Sequence, residues 1–199
     1  MLALGYALYI LFAVSFFLII RSEFYSISQR DEMWYRHCRK HVIKSRWLPS
    51  GWVFSIWLIL YIIATVGITI IFIDLYSDTN DLDTLSASDK RNRDMKISIL
   101  SLFWAAIIVN KYWSMLFFRN KSFVAAIVTI ILQIVLFIPI IVMSFILEFY
   151  WSAAFFCIFT LWLCFAVYLN SVFIHQSRDV KAAWNELLKK NELWIHDKK

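Results

Sequence analysis

Cysteine is scarce in this sequence of 199 residues, and charge is missing from several long stretches of it. The three cysteines, two of them inside one apolar run, exclude the disulfide framework of a small secreted domain. Acidic side chains are absent within the apolar runs, which disfavours a proton-coupled transporter. No nucleophile–base pair, phosphate-binding loop or metal motif is present, so hydrolysis and nucleotide-driven pumping are disfavoured as well.

Apolar residues dominate what remains. They make up 61% of the chain, and the mean hydropathy is +0.67, above the composition of a soluble domain. The apolar runs are continuous rather than alternating with polar residues, so they indicate α-helices and not barrel strands. Because one helical crossing takes about 20 apolar residues, the fold class predicted is an all-α integral membrane bundle of five transmembrane helices. The predicted spans are about 2–20, 52–73, 97–118, 123–145 and 149–174.

The first span ends in isoleucines followed by Arg21, with no basic residue before it. It is therefore expected to be a retained helix rather than a cleaved signal peptide. Basic residues crowd into the 21–51 loop, the 119–122 turn and the tail, whereas the 74–96 loop is rich in aspartate. The positive-inside rule then predicts an outside N-terminus and a cytosolic C-terminus. The basic residues that give the net charge of +6 lie at the ends of the predicted helices. The predicted partner is therefore the lipid bilayer, and no nucleic acid is expected to bind.

The connecting segments differ in character. Bulky Trp34, Tyr35 and Trp47 in the 21–51 loop predict a segment folded onto the bundle mouth, whereas 74–96 is expected to be a solvated connector. The tail, 175–199, has helical periodicity and is expected either to lie on the headgroups or to extend the fifth span. His37 and His41 have a spacing that suits a metal, but a solvated basic cluster is the favoured interpretation.

Two kinds of side chain mark candidate sites. The polar groups inside predicted spans are Asn110, Lys111, Gln133 and Asn170. Their amides either join helices by hydrogen bonds or line a pocket. Tryptophan is also abundant, with ten residues. Trp57, Trp104 and Trp162 fall deep in their spans, where they either pack the core or offer flat faces to a planar ligand. Other tryptophans are expected in the headgroup belt: Trp34, Trp47, Trp151 and Trp194.

Three blocks of sequence together resemble the TspO/MBR family, the tryptophan-rich translocator proteins. They are residues 47–54 (WLPSGWVF) followed by Trp57 and Tyr61, residues 110–118 (NKYWSMLFF), and residues 162–170 (WLCFAVYLN). The blocks fall in the second, third and fifth helices, in the family's order. Departures from the family's pattern include a spacing one residue short before Trp57 and Thr129 at an acidic position. The sterol motif of vertebrate members is incomplete, because no basic residue follows Tyr168 before Arg178.

The resemblance implies a five-helix bundle, able to form a homodimer, whose cytosol-facing pocket takes a porphyrin or similar hydrophobic small molecule, or a sterol. No cofactor is required; a porphyrin or haem-type tetrapyrrole enters as a ligand. The 21–51 loop would act as its lid. The pocket residues, by matching position, are Trp52, Trp57, Tyr61, Asn110, Trp113, Trp162, Phe165, Ala166 and Asn170.

The resemblance favours a binding or transport protein without catalytic residues. The alternatives are an enzyme that degrades porphyrins oxidatively, using Trp162, and a membrane scaffold without ligand. The expected location is the outer mitochondrial membrane in a eukaryote, the cell membrane in a bacterium, or a host membrane for a viral protein.

Overall fold

A computed structural model describes residues 29–43, 56–77, 86–176, 178–182, 184–186 and 189. Within these ranges the chain forms helices joined by short turns, and no strand occurs there. The helices are α1 (Gln29–His37), continued by a π-helical turn (Cys38–Val42); α2 (Ile56–Ser77); α3 (Ala87–Ser114), continued by a π-helical turn (Met115–Arg119); α4 (Phe123–Ile146); and α5 (Tyr150–His175). The predicted first span, 2–20, lies outside the described residues.

Four of these helices, α2 to α5, are long and apolar enough to cross a membrane. In α4 even the outward face is apolar: Val128, Val135 and Val142 are 51–59% exposed. A helix that exposes such a face has its outer surface in lipid. The prediction of an all-helical membrane protein is therefore confirmed for the described part of the chain, with four spans seen.

Where the structure describes the polar segment 74–96, at 74–77 and 86–96, it is helical except at Ser86. α2 continues to Ser77, and α3 begins at Ala87, ten residues before the predicted start of its span. The start of α3 is fixed by a capping box, in which the Ser86 hydroxyl accepts from the Asp89 backbone N–H and the Asp89 carboxylate accepts from the Ser86 N–H. Hydropathy identifies only the part of a helix that lies in lipid, so the charged first turns were predicted as loop.

The four spans enclose a common core. α2 packs against α3 and α5, and α4 packs between α3 and α5. At the α2–α5 contact the Ser152 hydroxyl donates to the Gly67 carbonyl at 2.8 Å. At the far end of the bundle, buried Lys96 pairs with Asp74 and joins α2 to α3. α4 and α5 form a hairpin whose turn holds Glu148 at φ 62°.

The opposite end of the bundle is covered by α1 and part of the tail. Trp34 is fully buried, with ring centroids 5.7–6.3 Å from those of Phe117, Phe123 and Phe173. Its expected place in the headgroup belt was therefore wrong, because the surrounding phenylalanines of α3, α4 and α5 form an aromatic socket for it. The exposed Trp151, by contrast, has 74% of its surface accessible.

The tail is not a continuation of α5. The backbone leaves helical geometry at Gln176, with φ −112° and ψ 25°, and helical residues resume at Arg178. Val180 is fully buried, and the Trp184 ring meets the Trp34 ring edge-on at 6.3 Å. The described part of the tail therefore packs onto the same end of the bundle as α1.

Candidate functional site

An aromatic cluster occupies the space between α2, α3 and α5. Its centre is Trp57 of α2, which is 7% exposed. The Trp57 ring centroid lies 5.3 Å from that of Trp113 on α3 and 6.1 Å from that of Trp162 on α5. The Phe159 ring completes the contact at 5.9 Å. Three helices thus each contribute an indole to one cluster, which has large flat faces and lies beside the α1 end of the bundle.

Polar atoms accompany these rings. The Asn110 side-chain amide of α3 donates to the Tyr61 hydroxyl of α2, so the two helices share a hydrogen bond inside the bundle. The Asn110 carbonyl oxygen remains without a partner among the described residues. The same holds there for the buried indole N–H groups of Trp113 and Trp162. The cluster therefore presents two unused donors and one unused acceptor beside apolar ring faces.

The remaining predicted site residues lie along α5. Phe165 is half-buried, with its ring 5.2 Å from that of Trp162. Ala166 and Asn170 are buried further along the same helix. The Asn170 amide donates to the Ala166 carbonyl at 2.7 Å, and its own carbonyl oxygen has no partner among the described residues.

Six predicted site residues are therefore linked by contacts with one another, and two extend the set along α5. The six are Trp57, Tyr61, Asn110, Trp113, Trp162 and Phe165. Trp52 lies outside the described residues.

Sequence reasoning missed Phe159 as a residue of the aromatic cluster. Phe159 stands three residues before Trp162, on the buried face of α5, and its ring stacks on Phe137 of α4 at 5.0 Å. The spacing of the buried α5 positions, at Phe156, Phe159 and Leu163, was the available signal. Phenylalanine in an apolar helix is too common for the residue type alone to have identified it.

The lid predicted from residues 21–51 is described only in part. Within 29–43, Trp34, Tyr35 and Cys38 are fully buried, while Arg36 and Lys40 are exposed. Burial raises the pKa of the Cys38 thiol to about 12, against a smaller lowering by Lys121. Burial likewise raises the pKa of the Tyr35 phenol, and Arg39 lowers it less. The Cys38 thiol and the Tyr35 phenol are therefore neutral on the face of α1 that packs against the bundle.

A buried lysine holds this covering in place. Lys121, in the α3–α4 turn, is 4% exposed and has φ 52°. Its ammonium nitrogen lies 3.6 Å from the ring centroid of Trp34 and 4.2 Å from that of Trp184, and it donates to the Phe118 carbonyl. A single cation is therefore shared by α1, the tail and the α3–α4 turn.

A scan against models of protein families matches residues 8–175 to the TspO/MBR family. The chain belongs to the TspO/MBR family. The match covers most of the chain, including all four described spans, so the family suggested by the three sequence blocks is confirmed. No match was found among curated proteins or among solved structures.

Membership of the TspO/MBR family supports a role in ligand binding or transport at a membrane. The site has the composition such a role needs: aromatic faces, a few convergent polar atoms and a surrounding membrane bundle. Among the described residues, no three side chains of His, Cys, Asp or Glu lie close enough together to bind a metal ion. The side chain of His41 is not one of those that the structure describes.

Proposed function

We propose that this TspO/MBR protein binds a planar lipophilic ligand, with porphyrins as the leading class, between α2, α3 and α5. The observation that carries the proposal is the cluster of Trp57, Trp113 and Trp162, each from a different helix. Two of its indole N–H groups have no partner among the described residues. A buried donor without an acceptor is unfavourable, so a ligand with ring faces and peripheral acceptors would stabilise the cluster.

The charge around the α1 end supports the same ligand class. Exposed basic side chains surround this end of the bundle: Arg36, Arg39, Lys40, Lys111 and Arg119. The propionates of a porphyrin would meet these cations while its ring meets the indoles. We propose that this basic end faces the cytosol and that α1 acts as the lid, which places the N-terminus outside.

A titration tests the proposal. Purified protein in nanodiscs is titrated with protoporphyrin IX. The dissociation constant is taken from the absorbance of the porphyrin itself, so the readout does not depend on the tryptophans of the protein. Trp162→Leu removes a ring from the cluster, and we expect binding to weaken about tenfold or more, since aromatic pairs and a donor are lost together. Trp151→Leu is the matched control, because Trp151 is on the same helix but faces outward.

Equal affinity for wild type and both variants would contradict the proposal, as would the absence of saturable binding to wild type. A loss of affinity in Trp151→Leu equal to that in Trp162→Leu would indicate porphyrin held at the lipid-facing surface instead. Trp162→Phe refines the test, because it keeps a ring and removes only the indole N–H.

A further inference from the structure

Gln133 of α4 has an unusual environment. It belongs to the buried seam of that helix, between Ile130 and Phe137, and it is fully buried. In the part of the chain that the structure describes, neither its amide nitrogen nor its amide oxygen has a hydrogen-bond partner. No other buried side chain among the described residues has both an unpartnered donor and an unpartnered acceptor.

Such a group is costly unless something pairs with it. An amide inside hydrocarbon or a packed core normally hydrogen-bonds to a neighbouring helix. Two other polar side chains of α4 show what is usual here: the Ser144 hydroxyl donates to the Ile140 carbonyl and the Thr129 hydroxyl to the Ala126 carbonyl. Among the described residues, the Gln133 amide is paired neither within α4 nor with a neighbouring helix, so a link between the described helices does not account for it.

The position of Gln133 connects it to the aromatic cluster. Phe137, one turn further along the same seam, stacks on Phe159, whose ring also contacts Trp57. α4 and α5 run antiparallel, so one turn from Phe137 toward the α1 end corresponds to one turn from Phe159 toward Trp162. Gln133 therefore lies near the midpoint of α4, at the level of Trp162.

The charge of the surroundings limits what the amide can pair with. The two buried lysines of the described residues lie elsewhere: Lys96 pairs with Asp74 at the far end, and Lys121 lies between tryptophan rings at the α1 end. A carboxylate at the depth of Gln133 would be buried without a nearby cation. A neutral group is therefore required, and it must accept one hydrogen bond and donate another.

We infer that Gln133 is a specificity-determining residue of the site, and that it selects planar lipophilic ligands with a lactam edge. A lactam carries an N–H beside a C=O, which matches a primary amide in two hydrogen bonds. The lactam N–H donates to Gln133 Oε1, and Gln133 Nε2 donates to the lactam oxygen. This inference rests on the proposed function, since it assumes that a ligand enters between the helices. It adds to that function the chemical group, a lactam edge, that the ligand presents at the middle of the membrane.

The test compares two probes that differ in one donor. Phenanthridin-6(5H)-one is a planar lactam, and its N-methyl derivative lacks the N–H. Each is measured by displacement of protoporphyrin IX from protein in nanodiscs. We expect wild type to prefer the lactam about tenfold or more, and Gln133→Leu to lose that preference. Ser144→Ala, at another buried polar position of α4, serves as the control and keeps the preference.

Three results would overturn the inference: no preference in wild type, the same preference in Gln133→Leu, or a melting temperature of ligand-free Gln133→Leu below that of wild type. The last would show that the amide has a structural partner, whereas an unpaired amide predicts a melting temperature that is unchanged or higher. Protoporphyrin binding that depends on Trp162 without any lactam preference would reject this inference alone. Failure of the porphyrin and of both probes to bind would reject the proposed function together with it.

Discussion

Replacing Lys121 by methionine should release α1 and the tail from the end of the bundle. The substitution keeps a long apolar stem and removes the ammonium that lies 3.6 Å from the Trp34 ring centroid and 4.2 Å from the Trp184 ring centroid. It also removes the hydrogen bond to the Phe118 carbonyl. The substitution leaves the backbone of the turn unchanged, so its effect is confined to the contacts made by the Lys121 ammonium.

The size of the effect follows from burial. At 4% exposure the ammonium is almost fully desolvated, and a cation–π contact of this kind contributes about 2 kcal/mol. The two rings share one cation, and the free-energy cost of desolvating that cation offsets part of the cation–π stabilisation. We therefore expect Lys121→Met to weaken the docking of α1 by ~2–3 kcal/mol. That corresponds to an increase of roughly 30- to 150-fold in the population with α1 detached.

Native-state proteolysis measures that population. An arginine-specific protease cuts α1 after the exposed Arg36 and Arg39 only when the helix opens, and the rate follows the open population when closing is fast. Lys111→Met is the control, because Lys111 is an exposed lysine of α3. Equal cleavage of the two variants would refute the reasoning.

A glycine variant separates the cation from the backbone. Lys121 has φ 52°, a conformation that glycine adopts without strain, so Lys121→Gly relieves the turn while removing the ammonium. If the cation holds α1, this variant is cleaved faster than wild type. Slower cleavage than wild type would mean that backbone strain, and not the loss of the cation, dominates at this position.

Three further predictions concern the core and α1. Tyr61→Phe leaves the Asn110 amide without its hydroxyl acceptor, so we expect a lower melting temperature from a loss of about 1–3 kcal/mol, with the exposed Tyr112→Phe unchanged. Gly67→Ala should be tolerated, because its Cβ would lie 3.4 Å from the nearest ring atoms, whereas Gly67→Ile should lower the melting temperature by overpacking. The Cys38 thiol, with its pKa raised from 9.0 to about 12, should resist Ellman's reagent at pH 8 in a variant whose other cysteines are serine. Docking of α1 should weaken as the pH rises from about 9 towards 12, because a neutral buried thiol stabilises the folded form below its unfolded pKa; rapid reaction at pH 8 would contradict this.

The sequence predicted the spans better than the helices. Apolar runs identify lipid-facing segments, and α2, α4 and α5 lie where those runs are. The first turns of α3 were missed because they stand outside the membrane, where a capping serine and charged residues make a helix that hydropathy does not detect. Helicity and burial in lipid are different properties, and a run of apolar residues reports only the second.

The match to the family's three sequence blocks brought the indoles of Trp57, Trp113 and Trp162 into one predicted site; residue type and spacing alone did not. Residue type and spacing also failed for Trp34, which lies in a segment of charged residues and resembles an interfacial anchor. Its burial depends on Phe117, Phe123 and Phe173 meeting at one end of the bundle, which is long-range packing between separate helices. Local periodicity carries no information on such an encounter.

α1 and the aromatic cluster both contact Phe117, which links the two. The Phe117 ring contacts Trp34 of α1 at 6.1 Å and stacks on Trp113 of the site at 5.5 Å. Trp113 in turn lies against Trp57, so rings in contact run without a break from α1 to the centre of the cluster. We therefore expect a ligand that moves Trp113 to disturb the packing of Trp34, and by reciprocity the docking of α1 to change the affinity for that ligand by the same factor.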